Sequence, residues 1–381
     1  MVELTPKKTG IAKLLAQIPY LTKDDFFESL AKEGTSIEIV VASQKFYGYI
    51  GHTHKAQICI TEKPLDSDYI SWLLKLAWQK RQQSFPILPE AFRLIHSEAD
   101  GIPGIHIELF HQFAVITCFN RGIQVWQSIL IEVLIKLMPL QGIYLKDRSP
   151  TNSNSPIQLI WGNSAPLNLI IAEKTGQFIV KLAAGLMNGL FLDQRGNREY
   201  LMSISKGKHI CNTFSYTGAL SIACAVGGAA STVSVDLSKT YSEWCVENMV
   251  LNKLASTNNQ VITSDTFAHF SFCRRKGIKY DIIILDPPTF AKKKQGSFSV
   301  AQNYQDLIMQ ALPLLNKRGS LICSTNFAQW SKQDFDQHIH HYAQKAGFKV
   351  QTQYRGSADK DFPPHQAWPE SNHLKFISVQ I

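Results

Sequence analysis

YDIIILDPPTFAKKK, running from Tyr280 to Lys294, sets four consecutive apolar residues, Ile282 to Leu285, between Asp281 and the corner Asp286-Pro287-Pro288. An apolar run of that length, bounded by turn residues, reads as a strand buried on both faces, as in a parallel sheet covered by helices. Its end is chemically unusual. A carboxylate at the strand tip, two residues whose rings fix φ, and the cationic run Lys292, Lys293 and Lys294 follow in close succession.

The same rhythm fills the C-terminal half. Short apolar runs at 209–214 (HICNTF), 231–236 (STVSVD), 260–265 (QVITSD), 319–325 (GSLICST) and 348–354 (FKVQTQY) alternate with helical patterns such as GALSIACAV and SKTYSEWCVENMVLNKL. Strand and helix in regular alternation predict an α/β fold with a parallel doubly wound sheet. Such sheets hold ligands beyond the carboxyl ends of their strands, which is where Asp236, Asp265 and Asp286 fall. Each of the first two also suits a helix N-cap. As a set, they offer acceptors for a ribose, an exocyclic amine and a reacting group in one crevice. The turn NTFSYTGALS carries the single glycine Gly218 and lacks the GxGxxG fingerprint, which disfavours a nicotinamide or flavin enzyme.

Upstream the pattern differs. Residues 36–60 give three short apolar runs separated by polar turns, the signature of a small antiparallel sheet or barrel. DSDYISWLLKLAWQKRQQ follows with helical spacing, Asp66 or Ser67 as its cap and Ile70, Leu73, Leu74 and Trp78 on one face. AFRLIH, GIHIELF and FAVITCF then precede a helix-like IQVWQSILIEVLIKLM and a strand-like GIYLKD, an α+β module. Residues 149–158 read as a loop. The domains expected are therefore 1–64, 65–172 and 173–381.

Composition narrows the function. The 381 residues carry 39 basic and 30 acidic side chains, so a polyanion such as RNA is a fitting partner. The 7 cysteines form no CxxC or Cys/His cluster, which predicts neither a metal site nor a disulfide framework and fits a reducing, cytoplasmic setting. No stretch has the length of a signal-peptide core or a membrane span.

These residues resemble class I S-adenosylmethionine-dependent methyltransferases, and among them the large bacterial 23S rRNA methyltransferases. The likeness runs along nearly the whole chain and is most specific from Leu190 to Phe290, through GLFLDQRGNR, NTFSYTGALS and LDPPTF. It implies a Rossmann-like sheet with a seventh, antiparallel strand, a central α+β domain, and a degenerate PUA-like domain at the N-terminus. It also implies S-adenosylmethionine as cofactor, held by Thr213, Phe214, Ser215 and Gly218, with Asp236 on the ribose and Asp265 on the adenine amine. Asp286, Pro287 and Pro288 would face methyl transfer. Gln194 and Arg198, in LDQRGNR with Asp193, would bind the cofactor or fix its loop, although Arg195 and Arg198 also suit simple helix-surface charges. Phe290 would stack on a base or anchor its loop, and Lys292, Lys293 and Lys294 would meet RNA phosphates.

The resemblance leaves two bases to choose between. Relatives that methylate cytosine C5 place a nucleophilic cysteine at the end of the fifth strand, where this chain has Asn326. Cys323, three residues earlier, falls on the opposite face by strand alternation. Guanine N7 needs positioning instead of a nucleophile, and the Asn326 amide can supply it. The expectation is an enzyme acting on guanine N7 of 23S rRNA, free or in an assembling large subunit, with a homodimer left open. A cytosine-C5 enzyme using Cys323 and a non-catalytic RNA-binding assembly factor are its rivals.

Overall fold

A computed structural model of the chain describes residues 1–150, 155–183, 187–292 and 297–381. The chain divides into two compact units. The first comprises Met1–Ile171, Val180–Asn188 and Lys360–Asn372, and the second Ala172–Ile179, Gly189–Asp359 and His373–Ile381.

The first unit contains two sheets. In one, the hairpin strands Ser36–Val41, Gln44–Ile50 and Ile58–Thr61 lie where the three apolar runs predict, with Val2–Leu4 and Tyr20–Leu21 added at the edges. Ile37, Ile39, Ile50 and Ile58 alternate onto its buried side with Leu4, Leu14 and Phe26. The second sheet runs in the order Gln158–Gly162, Gly142–Asp147, Phe113–Cys118, Ile105–Phe110, Ala91–His96. Helices Ser67–Ser84 and Gln127–Leu137 contribute Ile70, Leu73, Leu74, Leu130 and Leu134 to its core. Asp66 caps the first of these by accepting from Tyr69 N–H at 2.8 Å. Within the expected loop at 149–158, positions 151–154 lie outside the described residues, and Gln158 already belongs to a strand.

The second unit is built on one seven-stranded sheet. Its strands are β1 (His209–Thr213), β2 (Ser231–Asp236), β3 (Asn259–Thr263), β4 (Tyr280–Leu285), β5 (Leu315–Thr325), β6 (Gln351–Gly356) and β7 (Lys375–Gln380). Its helices are α1 (Arg195–Ile204), α2 (Ala219–Val226), α3 (Lys239–Leu251), α4 (Thr266–Lys276), α5 (Val300–Ala311) and α6 (Lys332–Lys345). The order is β3-β2-β1-β4-β5-β7-β6, with β7 antiparallel to both neighbours. This is the class I methyltransferase sheet.

β4 occupies the centre, hydrogen-bonded to β1 on one side and β5 on the other. Ile282, Ile283, Ile284 and Leu285 are at most 2% exposed, as the unbroken apolar run predicts. Each contributes about 2 kcal/mol of burial free energy before chain entropy is counted. The sixth strand starts at Gln351, later than the pattern at 348–354 predicts, because Phe348 and Val350 join the core under α6 instead. Helix α1, which carries Arg195 and Arg198, grows directly from the 3-10 turn Leu192–Gln194 with no side-chain cap.

Candidate active site

The turn after β1 is forced into an uncommon shape. Phe214 and Tyr216 have φ of 56° and 52°, and Gly218 has φ of 83° at the start of α2. Only glycine fits that last position, since a Cβ there would sit 2.3 Å from Cys245 Sγ. Asp236, at the end of β2, accepts from Tyr216 N–H at 2.9 Å and Ser238 N–H at 2.8 Å. One carboxylate therefore pins the turn and the next helix start. Burial raises the Asp236 pKa, with those backbone bonds opposing the rise.

Ser215 is buried, and its hydroxyl has no hydrogen-bond partner among the described residues. A polar group left open beside a strained turn and a helix start is what a bound S-adenosylmethionine would complete. Thr213, by contrast, spends its hydroxyl on the Ile284 carbonyl at 2.9 Å and braces β1 against β4. Asp265 caps α4, its Oδ1 accepting from Phe267 N–H at 2.9 Å and Ala268 N–H at 3.2 Å.

Asp286 lies just past β4. Gln194 reaches it: Nε2 stands 3.1 Å from Ser324 Oγ and 3.4 Å from Asp286 Oδ2, while Asn197 Nδ2 donates to Gln194 Oε1 at 2.7 Å. Burial raises the Asp286 pKa to about 6; the Ser324 hydrogen bond opposes the shift and the Asp193 charge adds to it. Asp193 in turn accepts from His373 at 2.8 Å and is followed at its carbonyl by Asp359 N–H at 3.0 Å.

Arg195 and Arg198 are 7% and 0% exposed, which overturns their reading as helix-surface charges. Arg198 grips Glu173 with Nε at 2.8 Å and Nη2 at 2.6 Å, and its Nη1 donates to the Phe191 carbonyl at 2.7 Å. Its nitrogens are thus committed to fixing the segment that carries Gln194. Arg195 pairs with Asp359 and Glu173.

At the end of β5, Asn326 is exposed and its Oδ1 accepts from Thr289 Oγ1 at 2.5 Å, linking it to the residue after Pro288. Cys323 is 0% exposed, packed in the core with Leu285 and Tyr304. Tyr304 OH donates to the Ser324 carbonyl at 2.9 Å and stands 3.3 Å from the Leu285 carbonyl, clamping the two strand ends. Pro287 is buried and Pro288 exposed. Phe290 is 57% exposed and begins the short hairpin strand Phe290–Lys292, so it is not a core anchor. Lys292 ends that strand; Lys293 and Lys294 lie outside the described residues. Among the described residues no group of three or more His, Cys, Asp or Glu could hold a metal ion, and no helix is long and apolar enough to cross a membrane.

Ser324, Asn197, Glu173, Tyr304 and His373 carry no local signal in the sequence. Their signals are pairings between distant segments, such as 194 with 324 and 173 with 198.

Comparison with known proteins agrees with this architecture. A family model for S-adenosylmethionine-dependent methyltransferases matches residues 141–341. The putative ribosomal RNA large subunit methyltransferase YwbD of Bacillus subtilis (strain 168) is 32% identical over 99% of both chains. Ribosomal RNA large subunit methyltransferase I of Aeromonas salmonicida (strain A449) is 30% identical over 84% of this chain and 82% of its own. The putative methyltransferase SMU.776, solved in complex with SAH, superposes with a TM-score of 0.91 at 29% identity, covering 100% of both chains. Sheet order, the strained turn and these likenesses together make the chain a member of the S-adenosylmethionine-dependent methyltransferase family that includes the bacterial ribosomal RNA large subunit enzymes.

Proposed function

We propose that the chain methylates guanine N7 of 23S rRNA. The observation that carries the choice of base is the burial of Cys323 within β5, beside Leu285 of β4, with Asn326 exposed at the strand end in its stead. Carbon methylation of cytosine needs a thiolate that can add to the ring. All seven cysteines are buried, and burial pushes the Cys323 thiol up, further from ionisation. Guanine N7 presents an in-plane lone pair and carries no proton, so position and charge stabilisation suffice.

When bound, S-adenosylmethionine supplies a methyl group already activated on a sulfonium. Phe214, Ser215 and Gly218 would hold it through the turn after β1, with Thr213 bracing that turn from below. Asp236 would accept from the ribose hydroxyls through its remaining lone pairs, and Asp265 from the adenine amine. Gln194 and Arg198 serve by position: Arg198 locks the segment, and Gln194 holds Asp286 against Ser324.

Asp286, Pro287 and Pro288 would form the wall that meets the base, kept rigid by the two prolines. Phe290 offers an exposed ring for stacking. Because Thr289 occupies Asn326 Oδ1, the amide Nδ2 is left to donate to guanine O6, the acceptor next to N7. Lys292, Lys293 and Lys294 would run beside the phosphate backbone. Nucleoside mass spectrometry of 23S rRNA from a strain lacking this gene should find one 7-methylguanosine missing. Loss of a 5-methylcytidine would overturn the assignment, and loss of neither would favour an assembly factor.

A further inference from the structure

One face of the second sheet of the first unit is apolar, and the other mixes polar side chains with the buried Val115, Tyr144 and Phe110. In register, Lys146 pairs with Thr117, Thr117 with His106, and His106 with His96. Paired residues point to the same side of a sheet, so these form one row. It lies opposite Ile95, Ile107, Ile116 and Leu145, which pack in the core with the two helices. The neighbouring row pairs Arg93 with Glu108.

Charge on this face is unevenly compensated. Arg93 is matched by Glu108, with Nη2 at 2.8 Å and Nε at 3.3 Å, and its Nη1 meets His96 Nδ1 at 3.0 Å. Lys146 has no equivalent. It is only 8% exposed, yet its ammonium makes no hydrogen bond or ion pair among the described residues. Burial lowers its pKa to about 8; Glu108 opposes the shift, while Arg148 and Arg93 add to it. Arg148 follows two positions on, on the same side by strand alternation, with its N–H on the Cys118 carbonyl at 2.7 Å.

A mostly buried lysine without a counter-ion is costly to keep, and because its ammonium is not among the fully buried polar atoms it stays open to an anion from outside. The acid at hand, Glu108, is already engaged by Arg93. What this arrangement lacks is an anion. We propose that Lys146, with Arg148 and the Thr117 hydroxyl beside it, binds a backbone phosphate of the RNA substrate. Lysine suits that task as a point charge, and such a contact positions a strand without reading its sequence. The inference rests on the RNA reading above and adds a site outside the methyltransferase unit.

Lys146→Met retains the length of the side chain and removes the charge. In the full-length protein it should leave S-adenosylmethionine affinity unchanged and the melting temperature equal or higher. Affinity for a 23S rRNA transcript should fall about tenfold, and the slope of log K against log salt should shrink by about one. Unchanged RNA affinity and slope would overturn the site. Acetic anhydride footprinting of the wild-type protein supplies an arm that needs no variant: rRNA should protect Lys146 from acetylation several-fold more than inorganic phosphate does. Equal labelling with and without rRNA, or equal protection by phosphate, would overturn it. Failure of the wild-type protein to bind rRNA would instead sink the RNA reading and this site together.

Discussion

Gln194 Nε2 lies between Ser324 Oγ and Asp286 Oδ2, at 3.1 Å and 3.4 Å, so a single amide spans the ends of β5 and β4. Asn197 fixes that amide from behind by donating to its oxygen. The orientation of Asp286 therefore depends on a segment whose own anchor is the buried pair Arg198–Glu173.

Gln194→Ala should release Asp286 without touching the turn after β1. Small misplacement near a reacting centre costs up to about 100-fold in rate, so kcat should fall by about 10–100-fold. Calorimetry should find S-adenosylmethionine affinity close to wild type. An equal loss in affinity would assign Gln194 to the cofactor instead.

Asp286 ties stability to pH. Its folded pKa of about 6 lies above the ordinary carboxylate value of about 4. Below pH 4 both states hold the proton, and as pH climbs to 6 the unfolded chain loses it first. Stability is then lost through that window. Asp286→Asn removes the loss, so it should exceed wild type at pH 8 by on the order of 1–3 kcal/mol and match it below pH 4. Urea unfolding at the two pH values measures the difference, and equal stability at pH 8 would contradict a desolvated carboxylate.

Cys323→Ala should remain an active methyltransferase. Shortening a fully buried side chain costs about 1 kcal/mol, lowering the melting temperature by a few degrees. Abolished turnover in a folded variant would restore the cytosine mechanism.

Asp236→Ala should weaken S-adenosylmethionine binding by about 10–100-fold, the worth of hydrogen bonds to a charged acceptor. Part of that loss comes from freeing Tyr216 and Ser238, whose N–H groups it holds. Titration calorimetry reads it directly, and an unchanged affinity would remove Asp236 from the cofactor site.

The elements legible in the sequence were those whose signal is local. Ile282 to Leu285 announce β4 by composition, and Asp66 announces its helix by capping. Helix α1 begins without a cap and buries Arg195, Asn197 and Arg198, polar side chains that a helix-surface reading assigns to solvent. Asp236, Asp265 and Asp286 do fall at or just past the ends of β2, β3 and β4, where the alternation puts them. What they could not reveal is partnership across the chain: Glu173 neutralising Arg198, Ser324 meeting Gln194, or Lys146 left without an acid. GIYLKD reads as a strand either way, and only register places its lysine beside Thr117.

Transfer of a methyl group to guanine N7 can be read straight from the reaction product in vitro. Purified protein would be incubated with S-adenosylmethionine and 23S rRNA from the deletion strain, and the digested RNA analysed by nucleoside mass spectrometry. Wild-type and Cys323→Ala reactions alike should yield new 7-methylguanosine, strongly reduced in Asn326→Ala. New 5-methylcytidine, absent from the Cys323→Ala reaction, would contradict it.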